Sequence, residues 1–282
     1  MEFIGILRAV AVLGALGLGL GALLALASRV FAVKTDERVE KIIHLLPGAN
    51  CGGCGFAGCG AFANAVVKGE ASASDCVAGG RKYAVQIAEV LGTTVATPPE
   101  QRVAVIQCSG GTHIMRRYEY VGIQSCFAAS RMTGGPTECA FACLGFGDCA
   151  KACKFGGIRF EHHAAVVHHE SCVGCGKCEA ACPRKLIVLA PARDEIRYVG
   201  CSSRDRGSIV RSLCNAGCIG CMLCMKKCPS GAIRVADNLA RIDSSLCTGC
   251  GACEAVCPRK IIHRVMTPAG AEYTVETQEV LS

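Results

Sequence analysis

Eight cysteines toward the C-terminal end carry the chemistry around which this chain is organised. Cys218, Cys221, Cys224 and Cys228 stand in the run C-I-G-C-M-L-C-M-K-K-C-P. Cys247, Cys250, Cys253 and Cys257 stand in C-T-G-C-G-A-C-E-A-V-C-P, with eighteen residues between Cys228 and Cys247. Three thiolates spaced two residues apart wrap one corner of an iron–sulfur cubane, and the fourth, held before a proline, reaches across to a second cubane. The pattern therefore places Cys218, Cys221, Cys224 and Cys257 on one [4Fe–4S] cluster and Cys228, Cys247, Cys250 and Cys253 on another. Structural zinc fits poorly, because it takes separated cysteine pairs and here three thiols crowd into seven residues. Ligands of this kind support one-electron transfer.

The unit is written twice. Cys126, Cys139, Cys143, Cys149, Cys153, Cys172, Cys175, Cys178 and Cys182 recur 75 residues later as Cys201, Cys214, Cys218, Cys224, Cys228, Cys247, Cys250, Cys253 and Cys257. The flanks repeat as well, C-P-R-K-L-I at Cys182 returning as C-P-R-K-I-I at Cys257. A duplicated two-cluster module of the bacterial-ferredoxin type follows. Such small units bury little apolar surface, so metal binding must supply much of their folding free energy. One position breaks the correspondence, since Phe146 stands where the second copy has Cys221. The nearest replacement is Cys139. Cys139, Cys143, Cys149 and Cys182 are thus expected on one cluster, with a three-iron cluster lacking Cys139 as the alternative. Cys153, Cys172, Cys175 and Cys178 are expected on another. Cys108, Cys126, Cys201 and Cys214 show no ligand spacing and read as buried thiols packing like small hydrophobes, although four thiols would suffice for a sixth cluster.

A third type of cysteine motif precedes the repeat. In L-P-G-A-N-C-G-G-C-G-F-A-G-C, Cys51, Cys54 and Cys59 lie among glycines, and Cys76 follows with sixteen residues between it and Cys59. Glycines let a backbone bend tightly and aim its N–H groups at cluster sulfurs. A fifth [4Fe–4S] cluster is the expectation here, with structural zinc as the alternative. The stretch A-F-A-N-A-V-V reads as a short helix, Arg81 to Leu91 as an amphipathic one, and Thr97-Pro98-Pro99 as a linker.

The elements that hold these ligands start with an anchor. Ala9 to Ala27 are nineteen residues without a charge, which as a helix span about 28 Å, close to a bilayer's hydrocarbon thickness. Arg29, Lys34, Arg38 and Lys41 follow it, so the positive-inside bias predicts a cytoplasmic position for the rest. The alternative, a cleaved signal peptide, lacks the twin arginines expected for export of a prefolded cluster protein. Twenty-four cysteines in 282 residues would mean disulfides in a secreted chain, but this spacing requires thiolates kept reduced. The net charge of +7 is offset by clusters, each of which with four thiolates adds about −2. With no Trp and little aromatic interleaving, nucleic-acid binding is not expected. His162, His163, His168 and His169 fall where a ferredoxin makes a hairpin and read as solvated. The segment Thr267 to Ser282 reads as a tail or a partner contact.

A hydrophobic anchor, then L-P-G-A-N-C-G-G-C-G-F-A-G-C with a trailing cysteine, then ferredoxin modules resembles the B subunits of Rnf complexes. Those complexes are membrane-bound, ion-translocating ferredoxin:NAD+ oxidoreductases. The resemblance implies electron transfer from soluble reduced ferredoxin to membrane partners (subunits A, C, D, E and G). It also implies NAD+ reduction on the C subunit, coupled to Na+ or H+ movement. No nucleotide-binding fingerprint is present in this chain itself. A polyferredoxin subunit of another membrane oxidoreductase, such as a hydrogenase, is the alternative. An oxygen-responsive sensor or a zinc-rich interaction protein fits less well, because no signalling or DNA-binding module accompanies the cysteines. The expected fold class is α+β: an N-terminal transmembrane helix (1–30), a small [4Fe–4S] domain (31–97), and two tandem bacterial-ferredoxin-like modules (98–200 and 201–282). Five [4Fe–4S] clusters are expected in an inner-membrane, single-pass protein with its iron–sulfur domains on the cytoplasmic side.

Overall fold

The structure is a computed structural model that describes residues 2–30, 36–94, 100–110, 114–161, 164–192 and 196–265. The expected linker at Thr97–Pro99, His162 and His163, and the C-terminal tail lie outside the described residues. Helix α1 (Glu2–Val30) carries the apolar stretch Gly5–Arg29, with a mean hydropathy of 2.4 and no burial against the rest of the chain. Leu13, Leu16, Leu18, Leu20, Leu23, Leu24 and Leu26 are all exposed on it. By length and composition this helix suits a membrane span, where those side chains meet lipid rather than water.

The N-terminal iron–sulfur domain is a trio of helices, α2 (Glu37–Leu45), α3 (Cys59–Val67) and α4 (Gly80–Leu91). Asp36 caps α2 by accepting the Arg38 N–H at 2.9 Å, and Gly92 ends α4 in the left-handed conformation that glycine favours. Their apolar faces close over Val39, Ile42, Phe62, Val66 and Ile87. The two helices expected beside this cysteine motif are both present.

Each ferredoxin module is a cluster-bearing framework of two short antiparallel sheets. In the first, β1 (Arg102–Ile106) pairs with β4 (Ile187–Pro191), and β2 (Ile158–Glu161) forms a hairpin with β3 (Ala164–Val167). Helices α5 (Cys126–Arg131), α6 (Asp148–Lys151) and α7 (Lys177–Ala181) each carry a buried cysteine, Cys126, Cys149 and Cys178. In the second, β5 (Arg197–Val199) pairs with β8 (Ile262–Arg264) and β6 (Ile233–Ala236) with β7 (Leu239–Ile242). Its helices are α8 (Gly207–Leu213), α9 (Leu223–Lys227) and α10 (Ala252–Ala255). Apolar residues alternate with cysteines in both cores, so the thiols are part of the packing. His168 and His169 lie half-buried after β3 rather than in solvent, and burial depresses His169.

Strand register corrects one correspondence drawn from spacing. Ile106 faces Ile187 and Val199 faces Ile262, while Ile187 and Ile262 are repeat partners. The next bonds agree: Gln107 N–H donates to Leu186 O at 2.8 Å and Gly200 N–H to Ile261 O at 2.7 Å. Cys108 is therefore the structural counterpart of Cys201, and Cys126 belongs to an insertion. From Cys108 to Cys139 the first copy advances 31 positions, whereas from Cys201 to Cys214 the second advances 13. The equal spacing of Cys126–Cys139 and Cys201–Cys214 had concealed this.

The modules meet through the loops after β1 and β5. Ser109 N–H donates to Gly200 O at 2.9 Å, and in the reciprocal sense Ser202 Oγ donates to Gln107 O at 3.1 Å. Ser109 Oγ also lies 2.7 Å from His263 Nε2. The N-terminal domain packs on the first module, with Cys51, Ala78 and Val173 buried together and Lys154 Nζ donating to Ala49 O at 3.2 Å.

Candidate iron–sulfur sites

The N-terminal quartet is assembled by a loop and a helix start. Cys51, Cys54, Cys59 and Cys76 line one cavity together with Phe62 and Ala78. Asn50 shapes the loop: its Oδ1 accepts the Cys59 N–H at 2.8 Å and so fixes the entry to α3. Burial pushes Cys76 up to about 11, which marks a pocket that disfavours a free thiolate. Iron binding supplies the opposing charge and expels the proton.

In the second module Cys218, Cys221, Cys224 and Cys257 line one cavity. Burial pushes Cys224 up to about 11. On the far side of the same module, Cys253 is raised by burial and by its neighbours Cys247 and Cys228. Burial alone would raise Cys228, but the Ser230 hydroxyl, with sulfur and oxygen 3.6 Å apart, and the N–H groups of residues 230–232 outweigh it and lower this thiol. Cys250 and Cys221 are the exposed members of these two sets.

In the first module Cys178 is pushed up to about 11 by burial, with Cys172 and Cys153 adding to it, and the Ala104 N–H donates to Cys172 Sγ at 3.3 Å. Cys175 completes this set beside Cys178. The loop between Cys172 and Cys175 turns at Gly174, whose φ of +69° brings it so close to the Arg102 carbonyl that no side chain fits. Cys175 also packs against Cys51 of the N-terminal quartet, beside Ala78 and Val173.

The other set of the first module departs from the expectation. Cys126, Cys143, Cys149 and Cys182 line one cavity, and Cys139 is not among its lining residues. The insertion explains the exchange. Phe146 takes the position of the middle ligand and packs edge-on against Tyr120 with ring centroids 5.1 Å apart, while α5 carries Cys126 to the cavity. Asp148 pins that helix, accepting from Ser125 Oγ at 2.8 Å and from the Phe127 N–H at 3.0 Å. Burial would raise this carboxyl, but those two donors outweigh it and hold it low. Cys139 instead joins Cys108, Cys201 and Cys214 around a separate cavity between the modules. The signal for both changes was the insertion, which is invisible until the strands are in register.

The donor sets fit [4Fe–4S] clusters. Among the described residues no three or more His, Cys, Asp or Glu side chains converge as one metal ion would require. Four thiolates on one zinc stand about 4 Å apart, whereas a cubane holds its ligands around a larger core. Peptide N–H groups aimed at the sulfurs, as at Cys172 and at Cys182 (from Leu186, 3.4 Å), are the interactions that tune such a group's potential.

Comparison with known proteins agrees with this geometry. Residues 46–78 match a family model described as an Fe-S cluster, residues 165–188 a 4Fe-4S binding domain, and residues 217–261 a 4Fe-4S dicluster domain. The chain is 42% identical over 259 residues to the B subunit of an ion-translocating oxidoreductase complex of Methanosarcina acetivorans, covering 91% of this chain and 97% of that protein. It is 39% identical to the B subunit of a Na(+)-translocating ferredoxin:NAD(+) oxidoreductase complex of Acetobacterium woodii, over 91% of this chain and 77% of the relative. It is also 39% identical to the B subunit of a proton-translocating counterpart of Clostridium ljungdahlii, over 89% and 90%. The chain belongs to the family of B subunits of ion-translocating (Rnf-type) oxidoreductase complexes, and is an iron–sulfur member of it.

Proposed function

We propose that the chain is a membrane-anchored electron relay that accepts electrons from reduced ferredoxin and passes them to the membrane subunits of its complex. The observation that carries this reading is the packing of Cys51 and Gly53 against Cys175, which sets the N-terminal quartet directly against a ferredoxin-type quartet. The ligand sets proposed are Cys51/Cys54/Cys59/Cys76, Cys153/Cys172/Cys175/Cys178, Cys126/Cys143/Cys149/Cys182, Cys218/Cys221/Cys224/Cys257 and Cys228/Cys247/Cys250/Cys253. A [4Fe–4S] cluster bound at each supplies one-electron chemistry, its core alternating between 2+ and 1+ without bonds made or broken. The protein's part is to hold these sets in sequence, exclude water and direct N–H dipoles at the sulfurs.

The domain limits 1–30, 31–97, 98–200 and 201–282 serve that order, with α1 crossing the membrane once and the clusters on the cytoplasmic side. The entry point for ferredoxin is the second module. There the exposed Cys221 and Cys250 sit among exposed Met222, Leu223 and Leu246, with Lys226 and Lys227 ready to meet an acidic partner. Each ferredoxin gives up one electron; two electrons and a proton convert NAD+ to NADH on another subunit, with Na+ or H+ moved across the membrane. The partners are subunits A, C, D, E and G.

Cys54→Ala tests the relay. It is expected to leave the ferredoxin-module clusters reducible by ferredoxin while abolishing ferredoxin-dependent NAD+ reduction by the reconstituted complex. Full NAD+ reduction by this variant would show that electrons leave by another route.

A further inference from the structure

Between the two ferredoxin modules, Cys108, Cys139, Cys201 and Cys214 line a single cavity, and none of the stretches matched by family models includes them. We propose that these four cysteines hold a sixth [4Fe–4S] cluster, two ligands coming from each module, which joins the modules into one continuous relay. The proposal rests on the iron–sulfur reading above and extends it to residues whose spacing gave no ligand pattern.

The quartet has the symmetry of a built site. Cys108 and Cys201 are counterparts by strand register. Cys139 and Cys214 are counterparts by the arginines that clamp them: Arg184 donates to the carbonyls of Cys139 and Ala142, and Arg259, its repeat partner, to those of Cys214 and Gly217. One sulfur from each module accepts a peptide N–H: Cys143 N–H donates to Cys108 Sγ at 3.3 Å, and Ser203 N–H donates to Cys201 Sγ at 3.4 Å.

The lining also points to a cluster: four cysteines share this one cavity, as four share the cavity of the Cys218 set and four that of the Cys126 set. Cys139, Cys201 and Cys214 are buried and Cys108 is half-buried, none of them in a disulfide. Ile114, Phe141, Val210 and Leu213 complete a mostly apolar wall, and the one carboxylate at the rim, Asp205, is already bonded to Ser203.

Position supplies the role. Cys143, whose N–H bonds Cys108 Sγ, is itself a ligand of one flanking set, and Cys218, which follows the lining residue Gly217, is a ligand of the other. The order along the protein is then Cys250 set, Cys221 set, bridging quartet, Cys126 set, Cys175 set and Cys54 set. One electron enters and one leaves at each point, with no proton or further reactant involved.

The test is native mass spectrometry of the anaerobically purified full-length protein in detergent, together with iron and sulfide analysis and freeze-quench EPR. The wild type is expected to hold six clusters and about 24 irons. Cys201→Ser and Cys214→Ser are expected to hold five clusters of unchanged signal, or six with one converted to a three-iron form. In either variant, electrons from ferredoxin should reach the second module but be slowed by at least tenfold in reaching the first. Five clusters in the wild type, a zinc ion at the quartet, or variants with wild-type iron and kinetics would overturn the bridge and leave the five-cluster relay standing. A wild type without iron would end both. If the variants do not fold, the wild-type count decides alone.

Discussion

Gly53 offers a way to separate the N-terminal quartet from the first ferredoxin module without touching a ligand. A Cβ at this position would lie 2.6 Å from Val77 Cγ2 and 3.0 Å from both Cα and Cβ of Cys175. Ordinary carbon–carbon contact begins near about 3.5 Å, so a methyl there must move its neighbours by roughly 0.5 to 1 Å. The Cys175 atoms on one side belong to a ligand loop fixed by its own set, and Val77 follows ligand Cys76 on the other. The two sides therefore have little room to yield except by parting. Overpacking of this kind costs about 1–3 kcal/mol, and 2 kcal/mol changes a docked-to-undocked ratio about thirtyfold. Gly53→Ala should keep the wild-type iron count, since the backbone N–H that serves Cys51 is retained. Freeze-quench EPR after mixing with reduced ferredoxin reads the result. The N-terminal signal, identified by its loss in Cys54→Ala, is expected to lag at least several-fold behind wild type, while the ferredoxin-module signals appear at the usual rate. Wild-type arrival at the N-terminal cluster, with iron intact, would refute the inference that electrons cross at Cys51 and Cys175.

Two other substitutions probe the first module and the cluster helices. Cys126→Ser should convert one first-module cluster to a three-iron form, and adding Phe146→Cys, which restores the middle ligand found as Cys221 in the second copy, should return it to four irons by EPR. The same Phe146→Cys should fail to correct Cys139→Ser; rescue of Cys139→Ser instead would reinstate the assignment drawn from spacing. Met222 holds φ of 62° at the start of α9, where the corresponding positions before α6, α7 and α10 are Gly147, Gly176 and Gly251. A left-handed non-glycine residue costs about 1–2 kcal/mol, partly offset by glycine's greater unfolded-state entropy. Met222→Gly is thus expected to stabilise the module by about 0.5–1 kcal/mol in anaerobic urea unfolding followed by cluster absorbance, and a lower midpoint would contradict the strain.

What was legible in the sequence was whatever is encoded by local spacing. The C-x2-C-x2-C-x3-C-P run commits three thiols to one corner and a fourth to the next because short loops leave the chain no other reach, and so the second module's sets were readable residue by residue. The apolar stretch after Glu2 and the helices α3 and α4 were readable for a similar reason, their signals lying within one or two turns. The duplication gave the module count. The exchange of Cys126 for Cys139 was not readable, because an insertion between Cys108 and Cys139 shifts the true correspondence, and the recurring 13-residue interval from Cys126 supplied a false one. Only pairing of β1 with β4 and of β5 with β8 fixes the register that makes Cys108 the counterpart of Cys201. The convergence of Cys108, Cys139, Cys201 and Cys214 and the meeting of Cys51 with Cys175 were likewise decided by tertiary structure alone. These residues lie far apart along the chain and meet only when separately folded units pack against each other, and no spacing within a unit carries that information.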